Sequence, residues 1–168
     1  MTEPASQAAP RRIVLTLAVF ALVAYFAAVV CAFGFASLLT DVSVIDEPDA
    51  GPLVGPVMVA AASVVLFIAL VLIGIRMDAT SRIVPVWSII GAAVGASLAY
   101  LLSGALAYSA TTGDAVNAVI FFAHHLFRPF TAVILILSLV VAVLYILVLL
   151  RQLHGGLRPL WPWERDEA

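Results

Sequence analysis

An all-α fold, a bundle of four transmembrane helices with a short amphipathic surface helix before the fourth, follows from three observations. The 168-residue chain is 64% hydrophobic and only 11% charged, against roughly 25% charged in globular chains. Apolar runs of about 20 residues, the length that crosses a bilayer, occur four times. The charged residues fall between or beyond those runs, so almost nothing is left to fold in water.

The elements can be justified in order. Residues 1–12 form a tail that ends in Arg11-Arg12, and the first span is 13–38. Its apolar run is much longer than the core of a secretory signal, and no A-x-A site followed by polar chain closes it, so it reads as a retained anchor. Cys31, the single cysteine, cannot form an intrachain disulfide or a CxxC redox pair. The second span is 52–75, entered through Gly-Pro at 51–52 and again at 55–56; proline is tolerated in a first helical turn, where its missing N–H would have no partner. After the short "RMDATSR" comes the third span, 83–108. The fourth, 130–150, is stopped by Arg151, and 151–168 form a second tail.

Orientation follows from the arginines. Arg11, Arg12, Arg76, Arg82, Arg151, Arg158 and Arg165 fall on one side of the spans, and Arg128 alone on the other. The excess of basic residues marks the cytoplasmic side, so both termini are expected there, in a plasma membrane, with the loop "TDVSVIDEPDAG" outside. Every basic residue is arginine, which fits GC-rich, actinobacterial codon usage. The formal net charge of −2 offers no basic surface for nucleic acid.

"FFAHHLFRPF", residues 121–130, sets two of the three histidines among phenylalanines. At 100° per residue, Asp114, Asn117, His124, His125 and Arg128 fall within an arc of about 100°. Val116, Val119, Phe122, Leu126 and Phe127 lie opposite, and Phe121 is the exception inside the polar arc. That pattern predicts an amphipathic helix over 114–127, lying in the outer membrane surface with its polar arc toward water. Pro129 then turns the chain into the fourth span.

Few residues suggest chemistry. A bis-histidine haem needs ligands on facing helices, whereas His124 and His125 are adjacent and His154 lies roughly 45 Å away along helix. No cofactor is expected. Metal binding by His124, His125 and Asp114 matches no established spacing. Asp41, Asp46, Glu47 and Asp49 lack the order of a calcium loop. The spans carry no ionisable group at depth, where such groups mark ion paths and proton relays. Ser63, Ser88, Ser97, Ser103 and Ser138 have no buried base to activate them. An enzyme is not expected.

Small residues form two ridges. Ser88, Gly91 and Gly95 lie along the third span, and Ala24, Ala28 and Ala32 along the first. Such ridges let backbones approach closely in lipid, and packing within the bundle is the expected use, with dimerisation the alternative. Trp161 and Trp163 suit the headgroup layer as anchors, or dock a partner. The layout, with "EPDAGPLVGPVMVAAA" entering the second span and a closing "RPLWPWERDE", resembles uncharacterised four-helix membrane proteins of actinobacteria. The resemblance implies topology and no activity. The expectation is a non-catalytic accessory or scaffolding subunit, in contact with membrane lipids and with a larger membrane-protein complex or its own copies. The alternative is a small transporter or lipid-handling protein.

Overall fold

The structure, a computed structural model, describes residues 11–40, 53–77 and 86–153. They form five helices: α1 (Arg11–Thr40), α2 (Val54–Arg76), α3 (Val86–Thr112), α4 (Ala115–Leu126) and α5 (Pro129–Leu153). All but α4 are long and apolar enough to cross a membrane. The acidic loop, His154, Trp161 and Trp163 lie outside the described residues.

The helix ends follow local chemistry. α2 holds Pro56 in its first turn and α5 starts on Pro129, both places where a missing N–H is harmless. The expected start of the third span at residue 83 lies outside the described residues, and α3 is described from Val86. It then runs a turn past Tyr108, and Gly113 ends it with φ of 73° while its N–H donates to the Ser109 carbonyl at 2.8 Å. Left-handed backbone of this kind suits glycine, which has no Cβ to clash.

α1, α2, α3 and α5 stand in a ring in that order, each packed on the next, and α5 closes it against α1. α2 and α5 touch more lightly across the diagonal, and α4 packs on α3. Arg11, Arg12, Arg76 and Arg151 all occupy helix ends at one end of the ring. Arg128 stands at the opposite end, 23 residues before Arg151, or roughly 35 Å along the helix. That exceeds the ~30 Å hydrocarbon core, so the two arginines suit opposite interfaces.

The core is built in layers. Near the arginine-rich end, Tyr145 approaches the Val14 carbonyl at 3.5 Å, and a Cβ on Gly74 would collide with the Tyr145 hydroxyl and Val14. Midway, the Ser138 hydroxyl donates to the Tyr25 hydroxyl at 3.2 Å. Further on, Phe33 of α1 wedges edge-on between Tyr100, at 6.2 Å, and Phe130, at 5.2 Å. At the far end Met58, Gly104 and Phe121 meet.

The small residues serve differently from expectation. Gly91 and Ser88 are exposed, and a Cβ on Gly91 would meet nothing within 4 Å. Gly95 is half-buried, with ordinary contact to Val65 at 3.7 Å. Ala24 is exposed, while Ala28 and Ala32 flank the core half-buried. The bundle instead closes over Ala92, Ala93 and Ala96 of α3 and Ala18 of α1. The glycines with no room to spare are Gly74 and Gly104, since a Cβ on Gly104 would lie 2.6 to 2.8 Å from Met58 and Phe121.

Candidate functional site

A cluster of polar groups, His124, His125, Arg128 and Thr131, lies where α3, α4 and α5 meet. Asp114 opens α4 as its N-cap: its backbone is extended, and its carboxylate accepts from the Val116 N–H at 2.9 Å. An acceptor there satisfies a donor that the helix cannot. Gly113 ending one helix and Asp114 starting the next make a corner with no residue between them.

α4 turns the opposite way from the expected orientation. Phe121 and His125 are buried, and Asn117 and Arg128 are half-buried on the same side. Val116, Val119, Ile120 and Phe127 face outward, Phe127 with 89% of its surface exposed. The polar arc is therefore split: Asp114 and His124 are exposed, while His125 is not. The physical reason is the solvent. Where the surroundings are lipid, apolar side chains lose nothing by facing out, whereas an imidazole N–H needs a partner that only the protein supplies.

His125 finds that partner in its own helix. Its Nδ1 lies 3.1 Å from the Phe121 carbonyl; a carbonyl only accepts, so Nδ1 carries the proton. The ring stacks on Phe121 at 3.9 Å and 15°, and Phe121 stacks in turn on Tyr108 at 5.1 Å. The His125 carbonyl accepts the Thr131 hydroxyl at 2.7 Å and the Arg128 N–H at 3.2 Å, using both lone pairs to pin α4 to the start of α5.

His124 stands edge-on to His125 at 5.5 Å. Its Nε2 lies 3.2 Å from Arg128 Nη2. A guanidinium can only donate, so Nε2 is the acceptor in this contact. Asp114 caps the far end of α4, about 15 Å from His124 by helical rise, so Asp114, His124 and His125 do not converge. Among the described residues no three metal-ligating side chains come together.

Beside this knot a groove of about 450 Å³ runs between α3 and α5. Val94, Leu98 and Leu101 form one wall, Ala132 and Leu135 the other, and Arg128 stands at its mouth. Its two hydroxyls are engaged, Thr131 with His125 O and Ser97 with Ala93 O at 3.0 Å. A second groove of about 230 Å³ runs between α1 and α5, past Leu17, Ala21, Ala24 and Val141.

Of the span hydroxyls, Ser63 and Ser103 also bond back to their own helix, at 2.7 and 3.1 Å. Polar side chains in helices commonly satisfy themselves this way. The Tyr100 hydroxyl is buried with no hydrogen-bond partner among the described residues. Sequence reasoning passed over Tyr25 and Tyr100, which look like ordinary apolar positions; their spacing with Val29 and Phe33 along α1, and with Ala96 along α3, was the available signal.

No curated protein and no solved structure matches the chain. A family model does match, over residues 7–168, nearly the whole of the sequence whose helices, corner and groove are described above. The chain belongs to a family of unknown function, DUF6121.

Proposed function

We propose that the protein is a non-catalytic accessory or scaffolding subunit of an actinobacterial plasma membrane, with both termini cytoplasmic, that packs against another membrane protein or a second copy. The observation that carries this reading is the outward stripe of small residues on α3. Ser88 and Gly91 are exposed, and nothing in the bundle lies within 4 Å of a Cβ at Gly91. Small residues facing lipid leave the backbone open to a second helix, where van der Waals packing and backbone contact drive association. Ala21 and Ala24, lining the groove on α1, offer a second surface of the same kind. The Ser138 and Thr131 hydroxyls join neighbouring helices and Ser63, Ser97 and Ser103 bond within their own, a use of hydroxyls that fits an assembling part.

Affinity purification from native membranes tests the proposal. The wild-type chain is expected to bring down a stoichiometric membrane partner or a second copy. Gly91→Leu, which the bundle can accommodate, should lose it without losing thermal stability. A wild-type protein that purifies alone would overturn the reading.

A further inference from the structure

The α3–α5 groove has a composition that selects its occupant. Its walls are apolar, aliphatic along α3 and α5 with Phe127 beside them, and the hydroxyls of Ser97 and Thr131 are both turned to backbone carbonyls. A solute entering it therefore meets hydrocarbon. From Val94 to Leu101 the groove runs seven residues, about 10 Å of helical rise, and its volume lies within the ~300–1,000 Å³ of small-ligand sites. A transmembrane helix, about 10–12 Å across with side chains, would need smaller residues along both walls. A single hydrocarbon chain is much thinner than a helix and fits a groove of this volume.

The mouth carries a guanidinium. Arg128 stands there on the turn into α5, and the His124 acceptor at 3.2 Å orients its guanidinium. A guanidinium presents a planar fork of donors that matches phosphate oxygens. It lies roughly 35 Å along α5 from Arg151, at the depth where headgroups begin. We propose that this groove holds one acyl chain of an anionic phospholipid, with the lipid phosphate at Arg128. The site is separate from the small-residue stripe, and the lone purified chain suffices to test it, so its failure leaves the accessory reading standing and the reverse also holds.

The experiment uses the full chain, delipidated in detergent, with retained lipid counted by native mass spectrometry. The probes are phosphatidylglycerol, phosphatidylcholine with the same chains, and soluble glycerol phosphate. Wild type should prefer phosphatidylglycerol over phosphatidylcholine by about tenfold: both lipids offer the phosphate, and the difference is the choline cation, which the Arg128 guanidinium repels and which phosphatidylglycerol lacks. Arg128→Gln should bring the two lipids to parity, while Arg76→Gln, at the other end of the bundle, should leave the preference intact. Ala132→Phe, at an exposed wall position, should fill the groove and lower retention of both lipids; Leu98→Phe does the same from α3 if that variant fails to fold. A preference that survives Arg128→Gln, lipid retention that survives groove filling, or retention of glycerol phosphate equal to that of phosphatidylglycerol would each overturn the proposal.

Discussion

His125 and Phe121 stack face to face, ring centroids 3.9 Å apart and planes 15° from parallel, one helical turn apart on the side of α4 that faces the bundle. This pair sets the rotation of the whole surface helix, and hence which groups reach the medium. A cysteine at position 124, in a Cys31→Ser background, should react readily with a water-soluble maleimide in nanodiscs. A cysteine at 125 should react slowly, by about tenfold or more, because the site is enclosed. Equal rates would mean that α4 is not seated as described.

Gly104 and Gly91 lie on one helix and should respond in opposite ways to the same change. A leucine at 104 must displace Met58 and Phe121, and overpacking of this kind costs about 1–3 kcal/mol. Thermal unfolding in detergent should show a clear drop for Gly104→Leu. Gly91→Leu should melt with wild type.

The Ser138–Tyr25 bond links α5 to α1 inside the bundle. A double-mutant cycle with Ser138→Ala and Tyr25→Phe should give a coupling of ~1 kcal/mol, in the range found for hydrogen bonds between membrane helices. Tyr100→Phe should be neutral or stabilising, since it removes a buried hydroxyl with no partner among the described residues. A large loss of stability from Tyr100→Phe would show that the phenol is bonded after all.

Orientation is checked with reporters. A reporter active only outside the cytoplasm should be active when fused after Asp46 and silent after Arg165. The inverse pattern would refute the cytoplasmic placement of the arginine-rich end.

The parts of this fold that were legible in the sequence are those set by the chain itself. Four apolar runs define four spans, the stretch 114–127 marks a short separate helix, found at Ala115–Leu126, and Pro129 marks the start of α5. Which way each helix faces was much less legible. In water an apolar stripe points inward, but on a helix surrounded by lipid both faces are apolar and the periodicity loses its meaning. That is why Gly91 and Gly104, indistinguishable as letters, fall on opposite faces. It is also why His125 turns inward although the polar arc predicted water. The groove depends on how α3 and α5 are spaced, and no single helix encodes that.

The closure of the ring by α5 has a consequence for biogenesis. The contacts from α5 to α1 join residues 113 and 131 positions apart in the chain, whereas α3, α4 and α5 are joined by corners of two residues each. Chains are made from the amino terminus at roughly 5–20 residues per second. For several seconds, therefore, the first two spans sit in the membrane while the helix that seals them is still inside the ribosome. During that interval Tyr25 is without the serine that donates to it, and α1 is held by α2 and the edge contact of Phe33 with Tyr100. A ribosome stalled before Ser138 would leave an open, three-sided bundle, which is the form most exposed to wrong pairing and to quality-control proteases.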